Sequence, residues 1–108
     1  MTRIELAEEM LVDAALCLAN QRYRSAISRS YYACYHAARW CLEQIGINIT
    51  SRDVHGACLR LFSLHFIRNG LLPDWMGELL NRLRRMRIAA DYRLQLPNEE
   101  AGAICGAK

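Results

Sequence analysis

Apolar side chains recur every three or four positions along most of the chain, which is the period of an α-helix with one buried face. The first such segment predicts a helix from about Thr2 to Ala19, with Thr2 and Glu5 in the pattern of a capping box. Its predicted buried stripe consists of Ile4, Ala7, Leu11, Ala14 and Leu18.

The second periodic segment predicts a longer helix over about residues 23–45, ended by Gly46, because a glycine commonly follows the last helical residue. Its apolar face consists of Ile27, Tyr31, Cys34, Ala38, Cys41 and Ile45. A second stripe on this helix is polar and aromatic, and it consists of Arg29, Tyr32, His36, Arg39 and Glu43. Two arginines, a tyrosine and a histidine on one face are suited to hold phosphate or RNA. The alternative is a solvated helix face with an aromatic ring packed between its neighbours.

Two further helices are predicted in the second half of the chain. The third begins after Thr50 or Ser51, with Asp53 completing a capping box, and it runs to about Arg68. The fourth follows a short turn, and Asp74 is suited to be its N-cap. The apolar positions of the third helix are Val54, Ala57, Cys58, Leu61 and Phe62. Those of the fourth helix are Met76, Leu79, Leu80, Leu83, Met86 and Ala90.

The pattern as a whole predicts an all-α protein. No segment alternates apolar and polar residues with the period of two that a half-buried strand shows, and the connections between the helices are short. Residues 98–108 have room for one or two turns of a fifth helix beyond Pro97. We therefore expect one domain over residues 1–108, folded as an up-and-down antiparallel bundle of four to five helices.

Composition narrows the class of protein. The chain has 108 residues, of which 53% are hydrophobic, but it lacks the run of about 18 apolar residues that crosses a membrane. Its N-terminus turns acidic at once and has no apolar signal-peptide region, so we expect a cytoplasmic protein with no membrane partner. The five cysteines form no CxxC pair and are expected to be small buried apolar residues, with no metal site and no cofactor.

Basic residues are distributed unevenly along the chain. Residues 21–93 contain twelve arginines against five acidic residues, and the protein as a whole has a net charge of +3. Thirteen of its fourteen basic residues are arginine, whose planar guanidinium suits two-pronged contacts to phosphate or carboxylate better than lysine does. This excess indicates an anionic partner, either nucleic acid or an acidic protein, unless it only reflects the base composition of the genome.

The fourth predicted helix carries a concentrated group of charges. Arg84, Arg87 and Asp91 share a face there, and Arg87 lies one turn before Asp91, at a spacing suited to an ion pair. A plain surface ion pair is one interpretation, but such a pair stabilises a protein by less than about 1 kcal/mol, and a binding role is the alternative. The two histidines of the third helix, His55 and His65, are each expected to be structural.

Four short segments carry a more specific signal. They are SRSYYACYHAA at residues 28–38, VHG at 54–56, LHF and NGLLP within residues 64–73, and RIAADY at 87–92. In this order and spacing they resemble the prokaryotic HEPN family, over roughly residues 5–100 of the chain. The resemblance implies an up-and-down bundle of four or five helices. HEPN proteins are commonly dimers, and many are toxins of toxin–antitoxin pairs whose partner is a minimal nucleotidyltransferase.

Active members of the family are metal-independent RNases, and their signature is Arg followed by His after roughly four to six residues. In this chain no histidine follows Arg87, and Asp91 and Tyr92 occupy the corresponding region. Histidine, with a pKa of about 6.5, serves as base or acid near neutral pH, whereas tyrosine (about 10) is a poor base and aspartate (about 4) a poor acid. His36 on the second helix is the candidate that would supply the missing imidazole.

The polar helix faces and the resemblance together give two sets of candidate residues. The catalytic candidates are Arg87, Asp91, Tyr92 and His36. The RNA- or nucleotide-binding candidates are Arg29, Tyr32, Arg39 and Arg84. The expected function is a component of a toxin–antitoxin type system that acts on or binds RNA, with metal-independent endoribonuclease activity left open. The alternative is a non-catalytic helical module that binds a nucleotidyltransferase partner or a nucleotide, and in either role we expect a homodimer with C2 symmetry.

Overall fold

Four α-helices make up the part of the chain that the computed structural model describes, residues 1–92. They are α1 (Arg3–Ala19), α2 (Tyr23–Gln44), α3 (Val54–Phe62) and α4 (Asp74–Tyr92), and a π-helical segment (Ser63–Ile67) prolongs α3. No strand occurs within these residues, so the predicted all-α bundle is confirmed. Over the same range, no helix combines the length and apolarity needed to cross a membrane. The predicted fifth helix over residues 98–108 lies outside the described residues.

The longest helix, α2, is the centre of the bundle, because α1, α3 and α4 all pack against it. The larger group of buried side chains joins α2, α3 and α4, and it consists of Tyr31, Tyr35, Ala38, Leu42, Cys58, Leu59, Phe62, Leu80 and Leu83. A smaller group joins α2 and α4, and it consists of Ala26, Ile27, Met86 and Ala90. Since burial of one large apolar side chain contributes about 1.5–3 kcal/mol, these groups determine how the three helices lie relative to one another.

Helix α1 packs on α2 through small residues. Ala7 and Ala14 are 3% and 1% exposed, and they face α2. The backbone N–H of Glu5 donates to Oγ1 of Thr2 over 3.2 Å, which confirms Thr2 as the N-cap. The prediction that Leu11 is buried is wrong: it is 36% exposed, because the line of residues facing α2 runs through Ala7 and Ala14, and Leu11 lies beside that line.

The end of α2 and the start of α3 differ in part from prediction. Gly46 has a φ of +81°, a left-handed conformation that favours glycine, which confirms that it ends α2. Ile45 lies beyond the last helical residue and is 50% exposed, so the prediction that it is buried is wrong. Helix α3 begins at Val54, later than predicted, because Asp53 is itself the N-cap: its Oδ1 accepts a hydrogen bond of 2.9 Å from the backbone N–H of Gly56.

The π-helical segment widens the end of the third helical stretch. The backbone N–H of Arg68 donates to the carbonyl of Ser63 over 2.9 Å, a bond that spans five residues instead of four. Gly70, with a φ of +78°, then reverses the chain direction before α4. The stretch therefore ends near Arg68, as predicted, although its last turn is wider than an α-helix.

Candidate functional site

Aromatic rings from α2 and α3 form the base of the candidate site. Tyr31, Tyr32 and Tyr35 lie within about one turn of α2, and their ring centroids are between 5.3 and 6.3 Å apart. His55, in the first turn of α3, stacks on Tyr35 with a centroid distance of 4.4 Å. These four residues form one continuous aromatic surface, the aromatic cluster.

A short hydrogen bond joins Tyr31 to His55. The Tyr31 hydroxyl lies 2.6 Å from Nδ1 of His55, and the Tyr31 side chain is fully buried. Burial raises the pKa of Tyr31 well above its usual value, although the charges of Arg84 and Arg87 oppose this shift. Burial, and after it the charges of Arg87 and Arg84, lower the pKa of His55 from 6.5. At neutral pH the pair therefore consists of an uncharged phenol and an uncharged imidazole.

Arg87 of α4 lies over the aromatic cluster. Its guanidinium carbon is 5.3 Å from the ring centroid of Tyr31 and 5.5 Å from that of Tyr32, within the range of cation–π attraction. Its Nη1 donates to Oδ2 of Asp91 over 3.1 Å, and only 16% of its side chain is exposed. Its Nε is buried and has no hydrogen-bond partner among the described residues. Arg87 is therefore a largely buried cation that lies over aromatic rings. A plain surface ion pair would need neither the burial nor the rings.

Arg84 repeats this arrangement one turn earlier along α4. Its Nη2 lies 3.5 Å from Oδ1 of Asp53, the N-cap residue of α3. Its Nε is also buried without a hydrogen-bond partner within residues 1–92. Arg84 and Arg87 thus present two cations beside Tyr31 and His55, and each retains N–H groups that no described acceptor uses.

Asp91 is held between α4 and α2. Its carboxylate accepts the Arg87 hydrogen bond and a second one, of 3.2 Å, from Oγ of Ser28. Beside it is a cleft of about 270 Å³, which is lined by Arg24, Ser25, Ser28, Arg29, Tyr32 and Asp91. Of the predicted site residues, the structure therefore groups Arg87, Tyr32 and Asp91, places Arg29 at the adjoining cleft, and adds Arg84 one turn away.

His36 is turned toward α1 instead of α4. Its Nδ1 accepts a hydrogen bond of 3.1 Å from Nη1 of Arg3. Nε of the same arginine lies 3.2 Å from Oε1 of Glu43. Since arginine only donates, the neutral His36 ring carries its proton on Nε2. Burial, followed by the charge of Arg3, lowers the pKa of His36. His36 and Arg87 therefore belong to two neighbouring groups of side chains, one around Arg3 and one around Asp91. Tyr32 is close to both, because its ring centroid lies 6.3 Å from that of His36 and 5.5 Å from the guanidinium carbon of Arg87.

The two remaining predicted site residues, Arg39 and Tyr92, lie in different surroundings. Arg39 joins the aromatic cluster, because its Nη1 donates to the Tyr35 hydroxyl over 3.0 Å and its guanidinium carbon lies 5.8 Å from that ring centroid. Tyr92, the last residue of α4, is 80% exposed and makes no hydrogen bond or ring contact within the described range. The structure thus gives Arg39 aromatic neighbours, whereas it gives the Tyr92 side chain no partner within residues 1–92.

Three members of the aromatic cluster do not follow from the sequence patterns as site residues. These patterns assign Tyr31 to the core, treat His55 as structural and give Tyr35 no role. One signal points to His55: it is followed three and seven positions later by Cys58 and Phe62, which are buried at 0% and 7% exposure. That spacing places His55 on the face of α3 that packs against α2.

Guanidinium, imidazole and phenol groups supply the chemistry of this site. Within the part of the chain that the structure describes, no three His, Cys, Asp or Glu side chains are grouped so that they would hold a metal ion. Guanidinium groups bind phosphate, a neutral imidazole accepts a proton near neutral pH, and aromatic faces stack on flat ligands. The arrangement is suited to an anion, and a flat group beside that anion could meet the partly exposed rings of Tyr32 and His55.

Comparison with known proteins identifies the class to which this bundle and its site belong. The family described as HEPN domain matches residues 1–105, which is almost the whole chain. The protein therefore belongs to the HEPN family, and the resemblance found in its sequence motifs is confirmed.

Three curated relatives place the chain more closely within that class. A protein of Methanocaldococcus jannaschii named "Putative toxin" is 33% identical over 97 residues, which are 90% of this chain and 70% of the relative. A UPF0332 protein of Pyrococcus horikoshii is 39% identical over 93 residues, 86% of this chain and 60% of the relative. A UPF0332 protein of Thermotoga maritima is 33% identical over 86 residues, 80% of this chain and 63% of the relative. The chain thus spans 60 to 70% of the length of these relatives. No solved structure matches it.

Proposed function

We propose that this HEPN protein is the RNA-directed component of a toxin–antitoxin type pair, and that Arg87 and the aromatic cluster form its RNA-binding site. The observation that carries the proposal is the largely buried guanidinium over Tyr31 and Tyr32, with an Nε that lacks an acceptor within residues 1–92. Burying a cation costs solvation free energy, and a bound phosphate would offset that cost. The name of the M. jannaschii relative supports the toxin setting.

Two depressions along α4 favour a strand of RNA over a single small anion. One is the cleft beside Asp91, and the other is a groove of about 570 Å³ beside Arg84, which is also lined by Arg60 and Arg68. Arg84 and Asp91 are seven positions apart, so about 10 Å of helix separates the two depressions, with Arg87 between them. Positive charges in a row beside aromatic rings are typical of surfaces that bind single-stranded nucleic acid.

Cleavage of the RNA without a metal ion is the further activity that this site supports. Attack of a ribose 2′-OH on the neighbouring phosphate forms a 2′,3′-cyclic phosphate and breaks the bond to the 5′ oxygen. The step needs a base that removes the 2′-OH proton and an acid that protonates the leaving oxygen, and an imidazole can serve in either role near pH 7. The pKa values of His36 and His55 are both lowered, first by burial and then by neighbouring arginines, so both rings are neutral there. The unprotonated nitrogen of His36 already accepts a hydrogen bond from Arg3, so His36 would have to release that bond before it could remove a proton. Arg87 and Ser28 both donate hydrogen bonds to the Asp91 carboxylate. Because its oxygens are already engaged in this way, Asp91 is better suited to orient Arg87 than to exchange protons with the RNA.

Two arginine variants of α4 test the proposed site. Arg87→Ala removes the cation over the aromatic cluster, and Arg85→Ala is the matched control, because it removes the same charge from an exposed position of the same helix. Both proteins, once shown to be folded by circular dichroism, are incubated with tRNA and mRNA, with and without EDTA. We expect Arg87→Ala to weaken RNA binding by about tenfold or more, and Arg85→Ala by less than about threefold.

The outcome of this comparison decides both the site and the activity. Equal effects of the two substitutions would remove Arg87 from the proposed site. Cleavage that persists in EDTA and disappears in Arg87→Ala is the result expected of an RNase. Tight binding without cleavage, lost in the same variant, is the result expected of an RNA-binding protein that does not cut.

A second candidate function is a non-catalytic module that binds a nucleotidyltransferase partner. One observation favours it: Arg84 and Arg87 each already hold a carboxylate, of Asp53 and Asp91, so this face accepts acidic side chains. An acidic segment of a partner would then occupy the place of RNA. Capture of a minimal nucleotidyltransferase encoded beside this protein, lost in Arg87→Ala and accompanied by no RNA binding, is the result expected of this alternative.

A further inference from the structure

We propose that His55 contacts the phosphate in this site: with Arg84 and Arg87 it forms a subsite for one phosphate group of RNA, and Tyr31 positions its ring. The inference rests on the proposed RNA-binding function and names the residues that would hold the phosphate. It also gives the site an imidazole, since no histidine follows Arg87 in the sequence and the candidate that the sequence indicated, His36, is turned toward Arg3.

Three tyrosines hold the His55 ring in one orientation. The ring stacks on Tyr35 at a centroid distance of 4.4 Å with 28° between the planes, and Tyr32 meets it edge-on at 5.8 Å. The hydroxyl of Tyr31 lies 2.6 Å from Nδ1 of this ring and is hydrogen-bonded to it. Nε2 makes no hydrogen bond to any described residue, so this nitrogen is left for a ligand. A ring held from three directions with one nitrogen available meets the requirement for a preorganised binding group.

The charges around His55 favour an anion. The groups that face it are Tyr31, Tyr32, Tyr35, His36 and Arg39 of α2, Asp53 at the start of α3, and Arg84 and Arg87 of α4. Three arginines face the ring against Asp53, and the balance stays positive when Asp91, which pairs with Arg87, is counted as well. Arg84 and Arg87 also each retain a buried Nε–H that finds no acceptor in the described region. Leaving a buried donor unsatisfied costs free energy, and an anion bound between the two guanidinium groups would remove that cost.

Binding of an anion is therefore coupled to protonation of His55. In the free protein, burial and the arginines hold the pKa of His55 below its usual value. An anion between Arg84 and Arg87 offsets their charge and accepts a hydrogen bond from the protonated ring, so binding raises the pKa. By linkage, the affinity for the anion increases as pH falls through the interval between the pKa of the free protein and that of the complex.

Histidine NMR titrations test this subsite on the unmodified chain. The ring signals of His36, His55 and His65 are followed against pH without ligand, with inorganic sulfate, and with a short RNA oligonucleotide. Sulfate is the first probe because its charge stays constant over the range in which histidine titrates. We expect both ligands to raise the pKa of His55 by about one unit, and the His65 signals are the internal reference from a ring outside the subsite.

Substitutions separate the contact made by His55 from the support given by Tyr31. His55→Gln is expected to weaken RNA binding about fivefold at pH 6 and to abolish its dependence on pH, and the matched control His65→Gln is expected to change neither. Tyr31→Phe is expected to reduce the rise in the His55 pKa on sulfate binding while the circular dichroism spectrum stays the same. That readout reports on the imidazole and does not respond to a purely structural role of Tyr31.

The possible failures of the two proposals differ. If the pKa of His55 does not respond to sulfate or RNA while RNA binding still depends on Arg87, the subsite is overturned and the RNA-binding function stands. If Arg87→Ala and Arg85→Ala bind RNA equally well, the proposed function is overturned together with the inference built on it.

Discussion

At the scale of single residues, Tyr31 belongs to the core and to the site at once. It is fully buried and packs in the larger core cluster with Leu42 and Cys58, yet its hydroxyl reaches Nδ1 of His55. A buried hydroxyl requires a hydrogen-bond partner, and the imidazole meets that requirement. The orientation of the His55 ring in the site therefore depends on how the core is packed.

The substitution Tyr31→Phe removes this hydrogen bond and keeps the buried ring. We expect the free energy of unfolding to fall by about 1 kcal/mol, the usual net contribution of a buried hydrogen bond. Urea unfolding followed by circular dichroism measures the change. Tyr23→Phe is the matched control, because the Tyr23 hydroxyl makes no hydrogen bond within residues 1–92. The same loss in both variants would contradict a specific role of the Tyr31 hydroxyl.

At the scale of helices, the first turn of α3 combines capping with charge pairing. Asp53 accepts the Gly56 N–H and also lies 3.5 Å from Nη2 of Arg84. A Cβ at Gly56 would lie 2.0 Å from Oδ2 of Asp53 and 2.8 Å from its Cγ, so only glycine leaves room for the capping side chain. This turn carries His55 toward α2, and its geometry thus contributes to the site.

Substitutions at Asp53 and Gly56 separate these two roles. Asp53→Ala removes both, and we expect it to lower the free energy of unfolding by about 1 kcal/mol, whereas Asp53→Asn retains a capping side chain and should cost less than about 0.5 kcal/mol. Gly56→Ala should destabilise the unmodified chain by displacing Asp53 but be neutral or stabilising together with Asp53→Ala, since alanine favours helix over glycine. Urea unfolding measures all four variants. Equal destabilisation by Gly56→Ala in both backgrounds would show that the crowding does not come from Asp53.

At the scale of the whole molecule, three apolar side chains of α1 are exposed. Leu11, Val12 and Leu16 of α1 are 36%, 61% and 58% exposed. Apolar side chains exposed close together on one helix are typical of an interface between subunits. The C2 homodimer expected from the sequence stays a prediction, and α1 offers the surface on which we expect it to form.

Charge introduced on this face of α1 tests the dimer. We expect the unmodified protein to be a dimer at micromolar concentration by light scattering, and Val12→Glu combined with Leu16→Glu to be a monomer, because two-fold symmetry would bury like charges near one another. Leu71→Glu is the matched control, since Leu71 is 67% exposed in the connection before α4. A monomeric unmodified protein would refute the dimer, and a double variant that remains dimeric would place the interface elsewhere.

The helices of this protein were easier to predict from sequence than its site. Helix periodicity depends on residues three or four positions apart, which the sequence displays directly. The start of α3 differs from the predicted one because several polar residues precede it, and the structure shows that Asp53 is the residue that reaches the Gly56 N–H. Arg87 and Tyr32 could be proposed because they lie on polar helix faces. The helical spacing of His55 indicates only that it lies on the buried face of α3, and its neighbours on α2 and α4 depend on how the helices pack.

The sequence by itself determined the helical class, the HEPN family and the polar faces of α2 and α4, because periodicity, motifs and charge are local properties of the chain. The tertiary structure alone decided which histidine joins Arg87. Tyr31 and His55 are 24 positions apart, and Arg87 lies on a third helix. Side chains this distant meet only where packed cores fix the crossing of helices, and that packing depends on many residues at once.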